Sequence, residues 1–312
     1  MMAAISENCL QRSMDLIMNG PDLIALVLPL ALFAVMFAVG LSLTLSDFRA
    51  LRFRPGLLVL GLMLQLLLLP LLGVAVIMLF GLPSILAAGL MILTFAPGGA
   101  TSNLICLLCR ADTALSVSLT VLSGLIIPFS LPLLSVLTLQ QLQLDGLVMA
   151  FPTGAAIGKL LAIGVVPVVL GMLCRYWQPA RCIRMQPWVK AIAGLIMLLV
   201  VIMLTATQLK ELLQLMPVLG PAVLTLAVTS MLTGFLISRR CGALKPQALT
   251  LAIETGIQNA GTALVITAVI LQSSDMSAAV LLYGILMQLP AFGLIIWRNL
   301  PGRTGGESFV LR

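Results

Sequence analysis

Histidine is absent from this chain, charged residues make up 9% of it and aromatic residues 5%, and each shortage excludes a class of function. Without imidazole there is no Ser–His or Cys–His catalysis and little zinc chemistry. A soluble domain carries roughly one-quarter charged residues, so a chain that is 61% hydrophobic cannot keep its surface in water. The cations give a net charge of +7, but they are scattered through short connections instead of lining one aromatic-rich face, which argues against a nucleic-acid partner. Carboxylates are scarcer still. Glu254 is the only one deep within an apolar run, so no second carboxylate makes a dyad or a divalent-metal site with it, and a membrane enzyme is a weak reading.

What the sequence has instead is apolar runs of about 20 residues, recurring from Leu23 to Trp297, each long enough to cross a hydrocarbon core as a helix. Loop punctuation places nine spans, near residues 23–45, 56–80, 84–109, 113–138, 152–174, 188–209, 217–238, 246–271 and 276–298. The first run is too long for the apolar region of a secretory signal and is expected to stay as a helix. Basic residues follow alternate spans: Arg49, Arg52 and Arg54 after the first, Arg110 after the third, then Arg175 to Lys190, Arg239 to Lys245, and Arg298 to Arg312. The other side carries mainly Glu7, Asp15, Asp22, Asp145, Glu211 and Asp275, with Arg12, Lys159 and Lys210 as its few cations. The positive-inside rule then puts the N-terminus outside and the C-terminus in the cytoplasm. The expected organisation is an outer segment (1–22), one transmembrane domain (23–298) with repeats at about 23–138 and 152–298, and a cytoplasmic tail (299–312). Cys106 and Cys109, three apart in an apolar run, read as small packing residues.

Two spans make poor continuous helices. The third contains Ala96-Pro-Gly-Gly-Ala-Thr-Ser-Asn103, and the eighth Ile253-Glu-Thr-Gly-Ile-Gln-Asn-Ala-Gly261. Pro97 removes a backbone donor and the glycines loosen the chain, predicting helices broken in mid-membrane, which are tolerated only where protein or a wet cavity satisfies the freed backbone groups. Each broken span is next to last in its half, and the two enter from opposite sides, as inverted repeats in a secondary transporter demand.

A lone buried carboxylate costs several kcal/mol unless something neutralises it. Either Glu254 is protonated and bonded to a carbonyl, or it is a carboxylate held by a cation; its polar, glycine-containing setting favours the second. Hard cations want several oxygen ligands, and oxygens are on offer at Ser102 and Asn103 in the first break, at Ser116 and Thr120 one turn apart in the fourth span, at Gln258 one turn after Glu254, and at Gln65 in the second span. Ser116 and Thr120 could equally bond their own helix backbone. Half-helix N-termini beside the cation suit an anionic substrate.

At Pro97-Gly-Gly-Ala-Thr-Ser-Asn103, Ala114-Leu-Ser-Val-Ser-Leu-Thr120, Glu254-Thr-Gly-Ile-Gln-Asn259 and Gly40-Leu-Ser-Leu-Thr-Leu-Ser-Asp-Phe48 the chain resembles the bile acid:sodium symporter family, over nearly its whole length. The resemblance implies two sodium sites. One would use Ser102, Asn103, Ser116, Thr120 and Glu254; the other Gln65, Glu254, Gln258 and the backbone of Thr255 and Ile257. It also implies that substrate sits at the crossing of the two broken spans, against Gly99, Ala100, Thr101, Asn259, Ala260 and Gln288. A panel of the first, fifth and sixth spans would move against a core of the others. Ala100 stands where some bacterial relatives have a polar residue.

The expected protein is therefore an all-α polytopic membrane protein of about nine helices, monomeric, in a bacterial inner membrane, carrying an organic anion together with sodium. Proton coupling through Glu254 is the nearest rival, and a non-transporting receptor or sensor the next.

Overall fold

The computed structural model describes residues 21–44 and 55–300. All but the last two residues of the expected outer segment, all but the first two of the expected tail, Arg49 to Arg54, and the last part of the Gly40–Phe48 motif lie outside them. Among the described residues there is no β-strand, only one isolated bridge.

The helices, in chain order, are α1 (Pro21–Gly40), α2 (Pro55–Phe80), α3 (Ser84–Thr94), α4 (Ala100–Leu108), α5 (Thr113–Gln141) and α6 (Asp145–Ala150). Then follow α7 (Thr153–Trp177), α8 (Pro179–Thr207), α9 (Leu209–Arg240), α10 (Lys245–Gly256), α11 (Ala260–Ile270) and α12 (Ser274–Asn299). Six of them, α2, α5, α7, α8, α9 and α12, are long and apolar enough to cross a membrane. The third and eighth expected spans each form two short helices, α3 with α4 and α10 with α11. Elsewhere helix outruns hydropathy. The stretch holding Arg181 and Arg184, expected as a connection, is the first part of α8, and only Gln208 separates α8 from α9. Hydropathy marks the part of a helix that sits in hydrocarbon, whereas backbone hydrogen bonding carries the helix on into water.

Three turns are widened to π geometry: Leu64–Leu68 in α2, Leu161–Val165 in α7 and Val265–Ile270 in α11. The first two lie just ahead of Pro70 and Pro167, which cannot donate to the carbonyl four residues back and would crowd it, so the turn opens instead. The widened turn of α2 carries Gln65, fully buried in an otherwise apolar helix.

The helices sort into two groups. α1, α7 and α8 pack on one another, while α2, α9, α10 and α12, with α3 and α5, form a second group around the breaks. The first group is drawn tight by small residues. A Cβ on Gly40 would strike the Val168 carbonyl, and one on Gly171 would lie 2.6 Å from the Phe37 carbonyl oxygen, so these glycines let α1 and α7 touch backbone to backbone. Arg175 closes the end of that seam by donating to the Leu41 carbonyl at 2.7 Å. α9 packs against α10, α12 and α2, which places the seventh expected span in the second group.

Candidate ion and anion site at the helix crossing

The two breaks meet. Pro97 and Gln258 form an antiparallel bridge, and the Asn259 N–H donates to the Ala96 carbonyl at 2.8 Å. An antiparallel bridge means that the two broken spans run in opposite directions where they cross. Two C-termini (α3, α10) and two N-termini (α4, α11) therefore converge, so unpaired carbonyls and unpaired N–H groups are brought within one small volume.

Glu254, on the last turn of α10, is fully buried. Its Oε1 accepts from the Ser116 hydroxyl at 2.6 Å, and its Oε2 from Gln65 Nε2 at 3.2 Å. An ionised carboxyl only accepts, and both oxygens are met by donors here. No described Lys or Arg pairs with it.

Three features of the surroundings suit a hard cation. First, Ser116 Oγ lies 2.6 Å from both Glu254 Oε1 and Asn103 Oδ1, yet it has one hydrogen to give, so three oxygens crowd together with too few protons between them. Second, the Oε1 atoms of Gln65 and Gln258 are buried without a hydrogen-bond partner, while their Nε2 atoms contact the Glu254 and Thr255 carbonyls at 3.2 and 2.7 Å. A buried orphaned acceptor costs about 1–3 kcal/mol, and a cation is one partner that could satisfy such an oxygen. Third, Gly98 keeps a space open. A Cβ there would sit 3.1 Å from Glu254 Oε2 and 3.6 Å from Ser123 Oγ.

The structure brings together most of the residues singled out by sequence. Ser102 is fully buried; its hydroxyl donates to the Gly99 carbonyl at 2.8 Å and accepts from the Gly99 N–H at 3.2 Å, closing the first turn of α4. Thr120 is buried one turn beyond Ser116, but its hydroxyl bonds the Ser116 carbonyl. Gly99 lies against the Asn259 side chain, whose Oδ1 caps α11 by accepting from the Thr262 N–H at 3.1 Å. Thr101 is exposed and Ala100, Asn259 and Ala260 are half-buried, so the crossing has a dry side lined by Glu254 and an open side lined by these four. On that open side Gly261 approaches Met197 of α8 and Leu32 of α1. Gln288 sits one turn from Gly284, which abuts Ala260, and its amide bonds the Gly284 carbonyl at 3.3 Å. Cys106 and Cys109 are buried and unbridged.

Three residues at the site escaped the sequence reading, Ser123, Tyr283 and Met287, and Gly98 was read only as part of the first break. Tyr283, fully buried, donates to the Gly256 carbonyl at 3.3 Å. Met287, one turn on, accepts from the Gln258 N–H through its sulfur at 3.4 Å. The Gln65 and Gln258 amides and the Tyr283 hydroxyl thus occupy the carbonyls of Glu254, Thr255 and Gly256 at the open end of α10, and Met287 the N–H that follows. Two signals were available. Ser116, Thr120 and Ser123 share the spacing of one helix face, and a tyrosine deep in an apolar span needs a partner for its hydroxyl.

Broken helices that cross with their ends on a buried carboxylate define a membrane protein built as secondary transporters are. The profile of the sodium bile acid symporter family matches residues 29–215, and the chain belongs to that family. Among its relatives is the uncharacterised sodium-dependent transporter YocS of Bacillus subtilis, 26% identical over 86% of this chain and 78% of that protein. A rice protein described as "probable sodium/metabolite cotransporter BASS1, chloroplastic" is 29% identical over 87% of this chain and 66% of its own length. The human ileal sodium/bile acid cotransporter is 28% identical over 75% of this chain and 66% of its own. The family is one of sodium-dependent transporters, and this multi-pass helical chain is a member of it.

Proposed function

We propose that this chain is a symporter that moves an organic anion, a carboxylate of the bile-acid or small-metabolite kind, together with two sodium ions by alternating access. The observation that carries the reading is the fully buried Glu254, whose carboxyl accepts from Ser116 and Gln65 and is paired with no described cationic side chain. One sodium ion is held by Ser102, Asn103, Ser116, Thr120 and Glu254. The other is held by Gln65, Glu254, Gln258 and the carbonyls of Thr255 and Ile257. Gly99, Ala100, Thr101, Asn259, Ala260 and Gln288 receive the anion at the open side, where the α4 and α11 N-termini stabilise its charge. α1, α7 and α8 form the panel that rocks against the rest. The chain works as a monomer in a bacterial inner membrane, crossing it nine times as two inverted repeats, with its N-terminus outside and its C-terminus in the cytoplasm.

The test is uptake of labelled carboxylates into vesicles under imposed gradients. A sodium gradient is expected to drive accumulation, and potassium is not. Sodium-free accumulation driven by a pH gradient would move the coupling from sodium to a proton on Glu254. Carboxylate binding with no uptake under any gradient would favour a receptor.

A further inference from the structure

On the flank of the second group of helices, away from the crossing, α9, α10 and α12 enclose an apolar groove of about 380 Å³. Met231 and Phe235 form one wall, Leu249 and Ala252 the floor, and Gly293 and Trp297 the other wall. A Cβ on Gly293 would meet nothing within 4 Å, so there is free space beside that wall. The helices that line the groove each carry a cation one turn beyond the lining, all at the same end: Arg239 four residues after Phe235, Lys245 four before Leu249, and Arg298 four after Leu294, another lining residue. Side chains four apart share a helix face, so three cations lie beyond one end of the groove. Asp112 lies at the same end, its N–H donating to the Pro246 carbonyl beside Lys245, so three cations stand there against one carboxylate. Arg239 and Arg298 each spend one N–H on a backbone carbonyl, Ala243 and Cys109 respectively, and Lys245 is exposed.

An apolar slot on the outer face of an intramembrane bundle, ending in three cations, has the charge complement of an amphiphilic anion. We infer that this groove is a binding site for an anionic phospholipid, with an acyl chain between α9 and α12 and its phosphate among Arg239, Lys245 and Arg298. The occupant comes from the membrane because Leu232, in the lining of the slot, turns half its surface outward on a helix long and apolar enough to span the bilayer. Each such cation contributes about 1 kcal/mol to holding an anionic lipid, roughly five-fold in affinity. The site also touches the transport machinery, because Met231 in its wall packs on Gly256 at the end of α10. The lipid site itself is independent of whether the chain transports anything.

Trp297 is a built-in reporter. With the exposed Trp177 and Trp188 replaced by Phe, the full chain is reconstituted in phosphatidylcholine vesicles in which brominated phosphatidylglycerol or brominated phosphatidylcholine is titrated. Quenching is expected to show a preference for phosphatidylglycerol of at least roughly tenfold. Lys245→Gln should cut that preference roughly five-fold and Lys245→Arg should restore it, while Gly293→Leu, which fills the slot, should reduce quenching by both lipids. Equal quenching by the two lipids, or a preference untouched by Lys245→Gln and Gly293→Leu alike, overturns the proposal. So does Trp297 that neither lipid quenches, as a groove covered by a second copy of the chain would give.

Discussion

The two interrupted spans meet at one crossing but are broken by different means. In the first, the chain between α3 and α4 contains Pro97, Gly98 at φ +67° and an extended Gly99, so the interruption is built into the backbone. In the second, Ile257, Gln258 and Asn259 separate α10 from α11 with neither proline nor glycine among them. That gap is held from outside: Gln65 of α2 on the Glu254 carbonyl, Tyr283 of α12 on Gly256, Met287 on the Gln258 N–H, and Ala96 on the Asn259 N–H. One break is local chemistry and the other is tertiary. A break held by side chains of two other helices and one backbone carbonyl can change when its ligands change, whereas one written in proline and glycine stays open, and the carboxylate sits on the adjustable one.

The largest effect is expected where the two breaks share a group. Glu254→Ala should abolish sodium-driven uptake while the protein still inserts and folds; undiminished uptake in vesicles would remove Glu254 from the mechanism. Next, Gln258→Ala removes an amide that belongs to the second break alone. It should weaken apparent sodium affinity about tenfold, the scale of one lost charge-assisted contact, and lower the Hill coefficient towards one. Asn259→Ala should weaken substrate more than sodium. Because coupling is reciprocal, titration calorimetry with sodium, with and without substrate, must return one common factor.

Two substitutions probe how each break is held. Gly98→Ala puts a side chain at a left-handed φ, costing roughly 1–2 kcal/mol, and brings a methyl to 3.1 Å from Glu254 Oε2. It should lower thermal stability in detergent and sodium affinity together. Tyr283→Phe leaves the Gly256 carbonyl without its donor, about 1 kcal/mol. It should weaken sodium binding roughly five-fold with a smaller loss of stability; a change in stability alone would make Tyr283 a packing residue and the second break as local as the first. The smallest effect is expected of Thr120→Ala. Its hydroxyl already bonds its own helix, so a loss of sodium affinity below roughly three-fold separates it from Ser116, whose hydroxyl touches Glu254 and Asn103 directly.

By itself the sequence determined that the chain lies in a membrane, because 9% charge against 61% hydrophobic residues admits no aqueous surface. It also determined that the third span breaks and which carboxylate is stranded, since a proline's missing donor and an ionisable group in an apolar run are local facts that no packing reverses. Ser102, Asn103, Ser116, Gln65 and Gln258 were legible for the same reason: each is a polar exception in an apolar helix. Only the tertiary structure decided that the breaks face each other across the Pro97–Gln258 bridge, that Gln65 reaches Glu254 from a widened turn 189 residues away, and that Tyr283 and Met287 hold the second break. Apolar helices in lipid have little hydropathic contrast to say which face meets which neighbour, so close contacts such as Gly40 on Val168 and hydrogen bonds between distant spans fix their arrangement, and neither is written in the period of one helix.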